Sequence, residues 1–208
     1  MNRVIKTGIL TAITTIALMF ASGCSKKDDP TVNLVSGGFD GKVTAKVESG
    51  SVVSVYLWIH PVIQDSQLSG TFVEKDSYSN GGFSISLPVI SAGNLMSISD
   101  FFTTILEVTG EPQYSAPDAQ VVDIDFLGID QDGYMVGYYL YSSADGKTVG
   151  YHVYADRDVT VTGGTNITVS LKKGWNRLYK IPDATGAYLN GKITTQAPAG
   201  INWYYNGL

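Results

Sequence analysis

Four aspartates fall within ten residues near the middle of the chain. Asp123 and Asp125 alternate with apolar residues, and Asp130 and Asp132 follow just before Gly133. Clustered carboxylates are oxygen ligands that calcium prefers, and a carboxylate pair at the right separation could serve glycoside hydrolysis. The stretch lacks the remaining ligands of an EF-hand loop, however, and Asp-Gly is also a hairpin signal. The four aspartates are therefore candidate calcium ligands, and the alternative is a solvated strand face with its turn.

Other catalytic chemistry is restricted by composition. The chain contains two histidines, His60 and His152, and one cysteine, Cys24. A bis-histidine metal or haem site is conceivable, but we favour two unrelated histidines at strand edges. A Ser-His-Asp triad would need one of these two histidines, and the sequence has no Gly-x-Ser-x-Gly elbow. We therefore predict that the protein is not an enzyme and needs no cofactor, calcium excepted.

Aromatic residues are the second group with chemical potential, since the chain has 13 tyrosines and 3 tryptophans. A flat ring covers the apolar face of a sugar while its polar edge stays wet, although aromatics also fill strands and cores for packing reasons. Alternation places Tyr139 and Tyr141 on the face opposite Tyr138, so one of these sets should point outward. We select Trp58, Tyr139, Tyr141 and Trp203 as candidate ligand-binding rings.

The elements that must position these residues are mainly β-strands. Apolar alternation predicts strands near residues 42–48, 53–60, 83–87, 122–126, 134–140, 149–153, 159–161, 167–171, 175–179 and 201–205. Between them, Ile98, Phe101, Phe102 and Ile105 have helical spacing, with Ser97 as the predicted N-cap. The fold class is therefore all-β. We expect an antiparallel two-sheet β-sandwich with one short helix in a crossover, or alternatively a closed β-barrel.

The N-terminus has the organisation of a secretory signal. Arg3 and Lys6 precede an apolar stretch that is short for a membrane span, and Ala21-Ser22-Gly23-Cys24 follows. This segment resembles the lipobox of bacterial lipoproteins, with Ala21 where leucine is commoner. The resemblance implies that signal peptidase II cleaves before Cys24 and that palmitate-type acyl chains on this cysteine attach the protein to a membrane.

The residues after the cysteine, 25–30, form a short charged tether. Its two lysines and two aspartates resemble the surface-export signal of Bacteroidota lipoproteins, and the alternative is a solvated spacer. The resemblance implies an outer-membrane protein that faces the cell exterior. The predicted organisation is a signal peptide at 1–23, the acylated cysteine and tether at 24–32, and a single β-sandwich domain at 33–208.

A second resemblance covers about fifty residues of the first half. Gly41-Lys42-Val43, the apolar strand at 53–57 and the Gly-x-Phe hairpin at 80–88 are similar to carboxypeptidase-regulatory-like, or transthyretin-like, modules. In that family a first strand leads to an apolar strand, a Gly-x-Phe hairpin closes onto a core strand, and the whole module is a β-sandwich that acts in binding or as a spacer. The resemblance therefore implies the same fold class and no chemistry of its own.

Charge excludes one class of partner. Removal of residues 1–23, which contain Arg3 and Lys6, leaves 12 of the 14 basic residues against 19 acidic ones. Nucleic acid is not expected as a partner, because no basic patch is present to neutralise phosphates. The predicted protein is a monomeric surface lipoprotein with a binding or adhesion role toward a glycan or a surface protein. The alternatives are a carrier of a small apolar ligand, a fimbrial subunit and a glycan-acting enzyme.

Overall fold

The computed structural model describes residues 36–64, 67–163, 166–188 and 191–208. The predicted signal peptide, Cys24 and the charged tether lie outside these residues. Val32–Leu208 forms one compact unit. Within the described ranges, no helix has the length and apolar character that crossing a bilayer requires.

Strands dominate the described residues. They are β1 (Lys42–Lys46), β2 (Ser54–Gln64), β3 (Gln67–Ser77), β4 (Gly82–Ser86), β5 (Met96–Ser97), β6 (Pro112–Tyr114), β7 (Gln120–Ile129), β8 (Met135–Ser142), β9 (Val149–Ala155), β10 (Val159–Gly163), β11 (Ile167–Leu171), β12 (Gly174–Ile181), β13 (Lys192–Thr194) and β14 (Asn202–Gly207). The helical segment consists of α1 (Ile98–Asp100) and a π-helical turn at Phe101–Ile105. The predicted short helix is thus present between the early strands and β7.

The strands form two sheets of very different size. β1 and β4 pair as a two-stranded sheet, and the large sheet has the order β3-β2-β7-β8-β9-β12-β13-β11-β10-β6, with β14 on β8 and β5 on β7. The pairings are antiparallel except for β11 with β13. The prediction of an all-β sandwich is confirmed. The closed-barrel alternative is wrong, because β3 and β6, at the two ends of this order, do not pair within the described residues.

β7 is the branch point of the large sheet. Its first half, Val121 to Ile124, pairs with β9, whereas Phe126 to Ile129 pairs with β8. On the other edge of β7, β5 pairs with the first half and β2 with the second. The sheet therefore forks near Asp125, and β2, β3, β8 and β14 lie on one side of the fork.

One hydrophobic core lies between the two sheets, on what we call the inner face of the large sheet. It contains alternate residues of every strand that contributes, such as Val55 and Leu57 of β2 and Val122 and Ile124 of β7. Phe83 of β4 covers this face. The indole Nε1 of Trp175 donates to the Pro88 carbonyl at 2.9 Å. Alternation thus assigns the intervening residues of β2 and β7 to the opposite, outer face.

A second core covers the other end of the outer face. Ile98, Phe101 and Phe102 of the helical segment are fully buried against Val121, Val153 and further apolar residues from β9 to β13. The predicted N-cap is confirmed, because the Asp100 backbone N–H donates to Ser97 Oγ at 3.0 Å. The helical segment therefore covers the outer face only beside the start of β7 and leaves the face beyond the fork uncovered by this core.

Candidate functional site

Five aromatic rings occupy the outer face beyond the fork, and we call them the outer aromatic face. They are Tyr56 and Trp58 on β2, Phe72 on β3, Tyr138 on β8 and Tyr204 on β14. Phe72 is 46% exposed and Tyr138 is 36% exposed, while the other three rings are half-buried. Several large, partly exposed rings on one sheet face are unusual for a surface without a binding partner.

Strand register brings the rings together. Trp58 pairs directly with Phe72, and Tyr56 pairs with Leu127 of β7, which in turn pairs with Tyr138. Tyr204 pairs with Leu140 on the far edge of β8. The rings span five neighbouring strands, of which β7 carries none, so the face measures about 19 Å across at about 4.8 Å per strand spacing.

Three of the five rings contact one another edge to face. Phe72 meets Tyr56 at 5.4 Å and Trp58 at 6.1 Å between ring centroids, both in T-shaped geometry. Lys75 Nζ lies 5.9 Å from the centroid of the Tyr56 ring. These contacts stabilise the orientation of the three rings relative to one another, and Phe72 is the most exposed of them.

Carboxylates border the aromatic face at the fork. Asp125 is the direct cross-strand partner of Trp58, and Asp123 lies two residues earlier on the same side of β7. β2 is bulged between Ile59 and Val62, and His60 has a φ of 49°. Bulges redirect side chains at a sheet rim, and the His60 charge acts on Asp125. The site therefore combines ring faces with ionisable groups at one end.

Both carboxyl groups titrate close to neutral pH. Burial raises the pKa of Asp123 to about 6. Asp125 is exposed to solvent on the outer face. Partial desolvation of its carboxyl group by the surrounding protein, with the charge of Asp123 in addition, raises the pKa of Asp125 to about 7, and His60 opposes the shift. Desolvation penalises the charged form, so the folded protein is less stable when both carboxyl groups are ionised.

A polar strip continues from these carboxylates toward the second core. Burial raises the pKa of the Tyr151 hydroxyl, and the negative charge of Asp123 adds to this shift. Lys180 of β12 is almost fully buried, and its Nζ lies 3.4 Å from Glu107 Oε2 and 5.0 Å from the Tyr188 ring centroid. The lysine is thus engaged by Glu107 rather than by the β7 carboxylates.

Replacing Asp123 by asparagine should stabilise the protein above neutral pH. A carboxyl whose pKa is higher in the folded than in the unfolded state stabilises the fold at pH values below the unfolded-state pKa. This contribution is lost as the pH rises through the folded-state pKa. We expect Asp123→Asn to gain about 2 kcal/mol in unfolding free energy at pH 8, and nothing at pH 3.5. Urea denaturation at both pH values measures the difference.

Asp158 supplies a control of opposite sign for this prediction. It is exposed, and hydrogen bonds from Lys172 and the Lys173 backbone lower the pKa of its carboxyl. Asp158→Asn should therefore lose stability at pH 8. An Asp123→Asn variant that is less stable than the wild type at pH 8 would contradict the burial of this carboxyl.

Three of the four rings selected from the sequence face inward, which corrects that selection. Tyr139 is 3% exposed and its hydroxyl is hydrogen bonded to Ser49 Oγ at 2.8 Å. Tyr141 and Trp203 are half-buried on the inner face, with 5.2 Å between their ring centroids. These rings belong to the core side because alternation on β8 and β14 turns Tyr138 and Tyr204 outward instead. Trp58 alone remains in the candidate site.

The two histidines lie on opposite faces and form no common site. His60 is exposed near Asp125, whereas His152, on the central strand β9, is 2% exposed. The imidazole of His152 stacks on Trp203 at 5.4 Å, and its Nε2 has no hydrogen-bond partner among the described residues. Burial, followed by the charge of Arg177, lowers the pKa of His152 to about 3. The predicted edge position is wrong for His152, which is a neutral core residue.

The four calcium candidates separate into two pairs. Asp130 lies in the β7–β8 turn, where its Oδ1 accepts backbone N–H groups of Asp132 and Tyr134 at 2.9 Å each. Asp123 and Asp125 lie well back along β7. In the part of the chain that the structure describes, no three histidine, cysteine or acidic residues are grouped to hold a metal ion. The Asp-Gly segment acts as the turn that its sequence also suggested.

The comparisons with known proteins supply no identification. No protein-family model matches the chain, and the searches of curated proteins and of solved structures found no match. The transthyretin-like resemblance of residues 41–88 therefore stays a prediction. The candidate site rests on the geometry of the outer aromatic face alone.

Proposed function

We propose that this protein is a lipoprotein of the outer membrane, exposed at the cell surface, that binds glycans through the outer aromatic face. The location rests on the lipobox-like residues 21–24 and the charged tether that follows. The binding role rests on the face itself, whose rings form a rigid, partly exposed platform. In this proposal the protein has no catalytic role.

The observation that carries the proposal is the set of five partly exposed rings on four strands of one sheet face. Sugars bind to tyrosine and tryptophan because a ring face covers their C–H groups while hydroxyls stay hydrated. The polar groups beside the rings, Asp125 and His60 at one end and Asn206 opposite Tyr138, offer hydrogen bonds that orient hydroxyl groups. A width of about 19 Å suits an oligosaccharide rather than a single sugar.

Removal of exposed rings tests the proposal. A stacked ring contributes about 1 kcal/mol beyond its buried area, so Phe72→Ala and Tyr138→Ala should each weaken binding about fivefold. The double variant should weaken it about 25-fold. A glycan array identifies an oligosaccharide ligand first, and isothermal titration calorimetry then measures its affinity for each variant.

Tyr134 provides a matched control, since it is a tyrosine, 69% exposed, in the β7–β8 turn. Tyr134→Ala should bind like the wild type. Unchanged affinity in the Phe72 and Tyr138 double variant would remove the outer aromatic face as the site. If the protein hydrolyses the bound oligosaccharide and Asp125→Asn abolishes that hydrolysis, the protein is a glycan-acting enzyme, which is the alternative to a binding protein.

A further inference from the structure

Among the described residues, no lysine or arginine pairs with the acidic end of the outer aromatic face, where His60 is the basic group that acts on Asp125. No ion pair among the described residues includes Asp123 or Asp125. The nearby basic groups are committed elsewhere, because Lys180 pairs with Glu107 and Lys75 lies over the Tyr56 ring. Adjacent carboxylates without a counter-ion are electrostatically unfavourable when they are partly buried.

Hydrogen bonding at this junction is also incomplete. The Trp58 indole Nε1 is buried and has no acceptor within the described ranges. Burial raises the pKa of the Asp123 carboxyl, and a hydrogen bond from its own backbone opposes this shift. Buried polar groups normally find partners, so an indole N–H left without an acceptor at the edge of an open face indicates a ligand.

The rings of this face also suit a positive charge. An ammonium group is attracted to the face of tryptophan or tyrosine within about 6 Å of the ring centroid. Lys75 already shows this behaviour, with its Nζ 5.9 Å from the Tyr56 ring. Trp58 is the ring in direct cross-strand register with a carboxylate, so a cation beside it would meet a π face and a negative charge together.

We infer that the glycan bound on the outer aromatic face carries a protonated amino group, held between the Trp58 ring and the Asp125 carboxylate. This inference rests on the proposed function and specifies the ligand as an amino sugar with a free amine. The groups that face Asp125 are His60 from β2, Asp123 from β7 and Tyr151 from β9. Of these, only His60 can carry positive charge, and an ammonium donates up to three hydrogen bonds to the carboxylates.

The test compares two oligosaccharides that differ only at the amine. Full-length protein purified in detergent is titrated at pH 7 with a tetramer of β-1,4-linked glucosamine and with the same tetramer fully N-acetylated. The amine form should bind at least tenfold more tightly. Asp125→Asn should reduce the ratio of the two affinities to below about threefold, and Asp132→Asn, in the β7–β8 turn, should keep the wild-type ratio.

The outcomes separate this inference from the proposed function. Equal binding of the two tetramers leaves glycan binding in place and overturns the amine. Failure of both tetramers, together with an empty glycan array, overturns both proposals. Tetralysine that binds as tightly as the glucosamine tetramer and competes with it would show that charge alone is recognised, which overturns an amino sugar as the specific ligand.

Discussion

His152→Phe should make the protein less sensitive to acid. His152 is buried and neutral, and the pKa of its imidazole is lowered from 6.5 to about 3. The stability that depends on this group is present above pH 6.5 and is lost as pH falls toward 3, because only the unfolded chain takes up the proton. The unfolding free energy of the wild type relative to that of the phenylalanine variant should therefore fall by about 4 kcal/mol between pH 7 and pH 3, because the other titrating groups are common to both proteins.

Urea denaturation across this pH range gives the unfolding free energy at each pH, and the effect is a change in the slope of this free energy against pH. Phe126→Leu is a matched control, because Phe126 packs 5.3 Å from His152 in the same cluster without titrating. It should lower stability by a similar amount at every pH and leave the slope unchanged. A His152→Phe variant with the wild-type slope would contradict the burial of a neutral histidine.

Trp203→Ala should destabilise the fold by about 3 kcal/mol without removing a ligand contact. The indole packs against Phe83 at 5.6 Å, Phe126 at 4.9 Å and His152 at 5.4 Å between ring centroids. Its loss leaves a cavity at the centre of the inner-face aromatic cluster. The measurement is the midpoint of urea unfolding, followed by glycan titration under conditions where the variant is folded.

Trp58→Ala is the companion variant, because Trp58 lies on the outer face. It should cost less stability than Trp203→Ala and should weaken glycan binding by about tenfold or more. The reverse pattern, with binding lost in folded Trp203→Ala and kept in Trp58→Ala, would return the site to the rings selected from the sequence.

Much of the fold could be predicted because alternation reports burial directly. Val43 and Ala45 are buried in β1, and Val55, Leu57 and Ile59 in β2, as their spacing requires. The helical segment with its Ser97 cap followed from four apolar positions and one side-chain oxygen. These features depend on local periodicity and capping, which a single sequence contains.

β3 could not be predicted in the same way. It runs from Gln67 to Ser77, and its register with β2 shifts twice, so apolar residues do not alternate regularly. Gly70 lies opposite the bulge with a φ of 122°, and a Cβ there would meet the His60 carbonyl oxygen at 2.7 Å. The position and register of β3 depend on its pairing with β2 and on the bulge, and neither has a local sequence signal.

The candidate site was only partly predictable for a related reason. Alternation showed that Tyr138 and Tyr139 lie on opposite faces but not which face is covered. That depends on where the β1–β4 pair and the helical segment pack. Tyr56 and Trp58 could be assigned to the outer face from the apolar residues between them. Phe72 could not, because β3 was not predicted.

The most direct test of the central claim uses the three tryptophans, of which Trp58 alone lies on the outer aromatic face. In a ¹⁵N-labelled sample, the three indole N–H signals are followed by NMR during titration with a glycan that binds. Glycan binding on the outer aromatic face should shift the Trp58 indole signal in a saturable manner, while the signals of Trp175 and Trp203 stay in place. A saturable shift of the Trp203 signal with an unmoved Trp58 signal would contradict it.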